Sequence, residues 1–460
     1  MLIKTITRRT LLIILIAALI YGIRYAWLSF PLISGFDAKN VCSCVFVAGR
    51  READVKKEEL DNFPESLGSI SINWKDSSVT AGVWGFSKRK AIYRNGLGCT
   101  LVNDIPENEI RSQVFDLAKP ILFNTDTIAW PYGDHLQDTI PHGLNKEKLQ
   151  AGVEFAFEEN DSINNARTRA LLVIYKGQLV AEKYSPGFDQ HSRMLGWSMA
   201  KSFMGALIGI LVKEGRLQPS MPAPVEQWKE PDDPRHAITL EHLLQQTSGL
   251  NFLEDYTGNS EVTNMLFNKG NMAGFTAGLS LKHSPGTVFN YSGGNSNILS
   301  RIIRNTVGEK EYGSFPYTAL FYKSGMHSVL LEPDASGTFV GSSYIYATAR
   351  DYARFGLLYY NDGVWDGERI LPEGWVQKTF TSSAANKLKN YGYQFWLNGF
   401  DKRHPERRWY PDVPADMYFA DGYGGQNIYI IPSKKLVVVR LGLKVIAENE
   451  FLKKVIAAVE

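Results

Sequence analysis

The chain has 460 residues, 44% of them hydrophobic and 21% charged, with a formal net charge of +2. Such a composition is globular, and the length suits one large domain plus an accessory region. The nearly balanced charge leaves no electrostatic footprint for nucleic acid, so no nucleic-acid partner is expected.

At the amino end, Lys4, Arg8 and Arg9 precede an apolar run over 11–23. A positive region followed by an apolar one reads as an export signal. No small-x-small cleavage site follows, and 24–30 can extend the span, with Arg24 snorkelling and Trp27 near the interface. Residues 1–33 are therefore expected to be a signal anchor, with a cleaved signal peptide and a secreted product as the alternative. Residues 7–11 carry a weak twin-arginine flavour. The positive-inside rule puts the rest of the chain outside the cytoplasm, which in a bacterium means the inner membrane and periplasm. In such an oxidising compartment Cys42 or Cys44 can pair with Cys99 and leave one thiol over; three buried free thiols are the alternative.

Residues 34–145 read as an accessory region. A short strand is expected at 44–47, and period-2 alternation marks 70–74, 79–86 and 91–93. A loop rich in Pro, Asp and Gly over 130–143 looks like the joint to the next unit. From 146 onward the order is a helix to 159, then a hairpin of 170–175 and 178–184 around Lys176-Gly177. An apolar helix follows over 203–212 and closes at Gly215. A short helix is expected within 238–250, capped by Thr239 and stopped by Gly249. Helices and loops continue to about 380. Strands return at 393–397, 427–431 and 436–441, and a helix over 447–459 closes the chain. Strands at both ends with helices between them predict an α+β fold, a mostly antiparallel sheet flanked by helices.

The chemistry gathers at Ser198-Met199-Ala200-Lys201, at the head of the apolar helix. At i and i+3 of a helix the two side chains project on one side. A serine hydroxyl needs a base, and a lysine can serve if burial favours its neutral form. A second Ser-x-x-Lys, Ser87 to Lys90, lies in a charged, strand-like stretch where i and i+3 point to opposite faces. Downstream, a glycine-rich loop over 284–295 carries Tyr291, a phenol able to relay a proton. The run Ala420-Asp421-Gly422-Tyr423-Gly424-Gly425-Gln426 leads into a strand, where glycines admit a backbone N–H close to a substrate. His242 and His283 have no acid at diagnostic spacing, and no zinc-type histidine motif occurs.

Taken in this order, these residues resemble the serine β-lactamase and penicillin-binding superfamily. The likeness is greatest to its class C β-lactamase-related branch, which includes esterases and 6-aminohexanoate-dimer hydrolases. Ser198 to Lys201 matches the first motif, Tyr291 the tyrosine of the second, and Tyr423-Gly424-Gly425 falls where the third, Lys/His-x-Gly, belongs. The stretches 238–250, 341–344, 349–356 and 371–375 are also similar. The resemblance covers about 150–460 and implies a catalytic domain over 146–460 with a helical subdomain. It implies an acyl-enzyme on Ser198, with Lys201 and Tyr291 sharing the base and acid roles. The N–H groups of Ser198 and Gln426 would hold the oxyanion, with Gly425, Tyr423 and Asn295 beside the substrate. No metal or cofactor is implied. Two departures bear on the substrate: Asn295 stands two positions later than the family's Tyr-x-Asn, and Tyr423 replaces the third-motif cation. A cation there suits a carboxylate-bearing substrate. The implied partner is therefore a small ester, amide or peptide, and the implied activity that of an exported esterase or amidase. The alternatives are a β-lactamase or cell-wall peptide hydrolase, and a non-catalytic, membrane-tethered binding module.

Overall fold

The computed structural model describes residues 2–119, 124–137, 139–158 and 167–460, with side chains from Thr10 onward. The chain forms two compact units. The first comprises Met1–Asn95, Cys99–Arg111 and Leu253–Gly270; the second comprises Gly96–Gly98, Ser112–Phe252 and Asn271–Glu460. The division therefore departs from a boundary at 145. Residues 112–145 join the second unit because Trp130 and its neighbours are pinned there. The Trp130 indole donates to the Gly177 carbonyl (3.1 Å), and Arg354 donates to the Pro131 carbonyl (2.9 Å) and to Asp134 (2.8 Å). Residues 253–270 join the first unit, where Phe267 meets Phe36 at 5.8 Å between ring centroids.

The first unit is built on α1 (Leu2–Phe46), which contains a stretch long and apolar enough to cross a membrane. Residues 10–28 of it are almost all exposed, whereas most of 32–45 is buried. The side chains of Lys4, Arg8 and Arg9 lie outside the described residues. Residues 44–47, expected as a strand, instead end this helix. The β-propensity of Val45-Phe46-Val47 yields to the packing of a long helix on a sheet. That sheet is antiparallel where β1 (Gly68–Asn73), β2 (Ser78–Val83) and β3 (Phe86–Arg94) pair, and β4 (Gly98–Val102) completes the order β1-β2-β3-β4. The expected strand 79–86 is thus cut by a turn at Trp84-Gly85. Ser87 and Lys90 both lie on β3, and Lys90 bridges Asp76 (3.1 Å) and Glu107 (3.0 Å) instead of meeting the serine. Cys42 of α1 is bonded to Cys99 of β4, with 6.0 Å between Cα atoms, and Cys44 is buried and in no disulfide.

The second unit opens with α2 (Lys146–Phe157); Glu159, expected as its last residue, lies outside the described residues. A hairpin follows, β5 (Thr168–Tyr175) and β6 (Gln178–Tyr184). Next come α3 (Met199–Lys213), α4 (Gly293–Val307) and α5 (Ala349–Tyr360). The chain returns to the sheet through β7 (Trp396–Leu397), β8 (Tyr418–Gly422), β9 (Gln426–Ile431) and β10 (Leu436–Gly442), and closes on α6 (Glu448–Ile456). The six strands run antiparallel in the order β7-β8-β9-β10-β5-β6.

Both faces of this sheet are covered, so β5 and β10 read as continuous apolar runs. Leu172, Ile174, Ile428, Ile430, Val437 and Val439 face α3 and its neighbours. Leu171, Val173, Tyr175, Tyr429, Ile431 and Val438 face α2 and α6. The period-2 alternation thus sorts one strand sequence into two cores. Two expected elements are shorter than the sequence suggested. The strand at 393–397 is confined to Trp396–Leu397. The helix within 238–250 is Leu240–Leu244, capped as expected by Thr239 but ended before Gly249 by Gln246 at φ 59°.

The disulfide supplies the first test. Replacing Cys42 and Cys99 together by serine removes a link closing 57 residues and is expected to destabilise the first unit by about 2–4 kcal/mol. Scanning calorimetry of the full chain under non-reducing conditions reads this. An unchanged transition would contradict the link.

Candidate active site

Ser198 owes its position to the element before it. The two-residue strand Met194–Leu195 pairs with Ile345–Ala347, and Trp197 then adopts φ 47° before α3 begins. A non-glycine residue in that region stores about 1–3 kcal/mol, which the surrounding packing must hold. Ser198 stands at the cap of α3 with φ −64° and ψ −8°. Met199, Ala200 and Lys201 donate their N–H groups to the carbonyls of Gly196, Trp197 and Ser198.

One turn on, Lys201 is 1% exposed. Its Nζ donates to Ser198 Oγ (2.8 Å) and to the Ser342 carbonyl (3.0 Å), and lies 4.8 Å from the centre of the Tyr291 ring. A lysine nitrogen taken out of water needs such partners, since a buried polar group left unsatisfied costs free energy. The three predicted catalytic side chains, Ser198, Lys201 and Tyr291, are therefore brought together around one nitrogen.

Tyr291 is held by a loop stitched to a second segment. Asn290 N–H donates to the Gln246 carbonyl (2.8 Å), and Ser292 N–H to Gln246 Oε1 (3.2 Å). Asn295 lies beneath this loop. It is 1% exposed; its amide donates to Gln246 Oε1 (2.8 Å) and its oxygen accepts from Ser248 (2.9 Å). Its side chain thus braces the loop. Tyr291 also packs on Trp396 (5.0 Å) and Tyr391 (5.7 Å), so its ring is walled by aromatic groups.

The third stretch meets Ser198 through the end of β8. A Cβ added to Gly422 would lie 2.2 Å from the Gly196 carbonyl, so only glycine lets the strand approach this closely. Tyr423, exposed at the turn, lies edge-on to Trp197 at 5.9 Å. Gly424 and Gly425 have φ 78° and 81°, and a Cβ on Gly425 would strike the Arg440 guanidinium at 2.1 Å. That buried guanidinium donates to the Gly425 carbonyl (2.9 Å) and Thr168 Oγ1 (3.1 Å), and burial lowers its pKa to about 10.

Strand phase decides which amides face the site. Asn398 N–H donates to the Met417 carbonyl (3.0 Å), continuing the pairing of β7 with β8. Backbone groups alternate along a strand, so Met417, Phe419 and Asp421 face the β7 edge. Tyr418, Ala420 and Gly422 face β9. Gln426 pairs with Gly422, which commits its N–H to the hairpin, and its side chain binds the carbonyls of Tyr423 (3.1 Å) and Gly442. The Gln426 amide, expected at the oxyanion, is therefore turned toward Gly422 across the hairpin, and Tyr423 stands in the turn just beyond the end of β8.

Asp421 adjoins the site and was not singled out from sequence. It accepts from Asn427 (2.8 Å). Burial pushes its pKa up to about 8, Glu448 adds to this, and the Asn427 bond and Lys201 pull back. Gln246, Ser342 and Trp197 were likewise unassigned. Ser342 lay within a recognisable stretch, but a carbonyl ligand leaves no side-chain signal. Among the described residues no group of three or more His, Cys, Asp or Glu gathers to hold a metal.

A two-sided antiparallel sheet, with a serine and a buried lysine one turn apart at the head of a core helix, places this chain in the serine β-lactamase and penicillin-binding superfamily. A family model described as Beta-lactamase matches residues 156–445, and the chain belongs to that family. It is 25% identical to the 6-aminohexanoate-dimer hydrolase of Paenarthrobacter ureafaciens over 286 residues, 60% of this chain and 72% of the relative. A solved structure from Bacillus anthracis, provisionally assigned as a 6-aminohexanoate-dimer hydrolase, superposes with a TM-score of 0.52 at 23% identity. It covers 77% of this chain and 88% of its own. EstCE1, a hydrolase with promiscuous acyltransferase activity, gives 0.53 at 14% identity, over 68% and 97%. Both superpositions establish the shared fold.

Asp421 yields a pH prediction. A carboxyl whose pKa rises on folding from 3.8 to about 8 adds stability that is complete below its unfolded value and lost as pH climbs through about 8. Thermal melts between about pH 5 and about pH 9 should therefore fall more steeply for the parent than for Asp421→Asn. Parallel curves would contradict the assignment.

Proposed function

We propose that the protein is a membrane-anchored serine hydrolase of esters or amides that works outside the cytoplasm through an acyl-enzyme on Ser198. The observation that carries this reading is the 2.8 Å contact between Lys201 Nζ and Ser198 Oγ, made by a lysine withdrawn from water. In its neutral form Lys201 takes the hydroxyl proton as Oγ attacks the substrate carbonyl carbon. Tyr291, over which the lysine nitrogen sits, helps return that proton to the leaving oxygen or nitrogen. The oxyanion is held by the N–H of Ser198, at the head of α3, and the N–H of Tyr423. Water then attacks the acyl carbonyl and releases the acid, and the serine regains its proton.

The substrate class follows from what stands at the third motif. Tyr423 presents a phenol where a cation would meet a carboxylate, and Tyr291, Tyr391 and Trp396 make the adjoining wall apolar. This favours neutral esters and amides over penicillins or peptide carboxyl ends. The relative from Paenarthrobacter ureafaciens is named for hydrolysing an amide dimer, which agrees with that choice. The exposed apolar stretch of α1 supports the tether, with residues 34 onward outside the cytoplasm.

Kinetics with p-nitrophenyl acetate test the assignment. Ser198→Ala is expected to lose roughly a thousandfold or more in kcat/KM. Tyr291→Phe should lose roughly 100- to 10,000-fold with the circular dichroism spectrum unchanged. Turnover by Ser198→Ala at the parent's rate would refute the nucleophile, and penicillin turned over faster than the ester would move the substrate class to β-lactams.

A further inference from the structure

The first unit carries large aromatic side chains that nothing in the proposed chemistry uses. Trp84 is 68% exposed and Phe86 63%, either side of Gly85 at the tip of the β2–β3 hairpin. Burying such rings is worth a few kcal/mol, so two side by side in water mark a surface that meets something apolar.

Their place along α1 says what. The apolar run of the helix follows Arg8 and Arg9 in the sequence, and among the described residues the fold first buries the helix at Leu32. Twenty residues from 10 to 29 span about 30 Å, the hydrocarbon thickness of a bilayer. Phe30, the next residue, touches Trp84 at 5.4 Å with the rings at 81°. Sixteen residues on, Phe46 touches Trp74 at 5.3 Å, at the opposite end of the same sheet. The sheet thus lies along the helix. Its Trp84 end stands where the helix leaves the bilayer, and its Trp74 end stands about 24 Å further out. Trp27, 71% exposed, is one turn inside Phe30. Lys88, exposed and two residues from Phe86, shares its strand face and suits lipid phosphate.

We infer that the tip of the β2–β3 hairpin is a membrane foot. Trp84 and Phe86 sit among the lipid headgroups beside the exit of α1 and, with Trp27, make an aromatic belt for a single-span protein. The occupant is the bilayer surface itself. A helix crossing alone can tilt and rotate; a second contact point fixes the first unit against the membrane plane. This inference rests on the membrane-anchor reading of α1.

The test uses the full chain in phosphatidylcholine nanodiscs, with an environment-sensitive fluorophore at Leu15→Cys, Phe86→Cys or Lys75→Cys. The parent, with its buried Cys44, serves as the background. A fourth probe at Trp84→Cys keeps Phe86 and guards against loss of the foot through labelling. Nitroxide carried on lipid headgroups should quench the probes at 84 and 86 about twofold or more and leave that at 75 unchanged; nitroxide deep in the acyl chains should quench the probe at 15. Deep quenching at 15 with 84 and 86 no more quenched than 75 overturns the foot and leaves the anchor standing. Shielding of 84 and 86 from iodide without nitroxide quenching means that protein covers the tip, and also overturns it. No quenching at 15 overturns the anchor reading, and the foot with it.

Discussion

A lysine nitrogen with almost no access to water is the constraint on which the second unit depends. Lys201 lies on the buried side of α3, where a hydrocarbon residue would pack without penalty. Its nitrogen is compensated by Ser198 Oγ, by the Ser342 carbonyl and by the face of Tyr291. Each of those partners arrives from a different part of the chain. Ser342 is fixed in turn by Asn297, whose side-chain oxygen accepts from its N–H (3.1 Å). The site is therefore not a motif decorating a finished core. The core closes around the lysine, and a variant that removes its partners leaves a buried polar group unsatisfied.

The sheet supplies the other half of the geometry. Its β8 edge runs on to Gly422, past the short strand β7, whose pairing ends at Phe419. Such an edge is a liability on a surface and an asset in a cleft, because its amides are rigid and already aimed. Arg440 stiffens the turn from within by holding the Gly425 carbonyl. The strained Trp197 and the close approach of Gly422 to Gly196 together set the distance between Ser198 and the edge. In the proposed reaction this pairing of a helix head with a strand edge holds the oxyanion.

What could be read from the sequence followed the range of the interaction. Ser198 and Lys201 are three residues apart on one helix, so their meeting is local and was legible. The hairpin β5–β6 and the strands β9 and β10 were legible because alternation and turn residues agreed. The two-faced sheet followed from strands at both ends of the catalytic part. Gln246 and Ser342 were not legible, because they act through backbone and amide groups brought in from 45 and more residues away. Asn295 was legible as a polar residue near Tyr291, but not its burial. The direction of the Gln426 amide turned on the phase of β8 against β7, and one shift of register reverses every amide. The first unit was least legible. Its helix overrode the strand-like end at Val45-Phe46-Val47, and its third segment comes from 253–270, beyond any local signal.

In the proposed reaction Ser198 is made nucleophilic by Lys201 as a base, not merely by a nearby positive charge. Intact-protein mass spectrometry after exposure to a fluorophosphonate tests it most directly, comparing the parent with Lys201→Arg. Arginine keeps the charge and cannot give up its proton at any ordinary pH. The predicted result is one adduct on Ser198 in the parent and none in Lys201→Arg over the same time. Equal labelling of both would contradict the account.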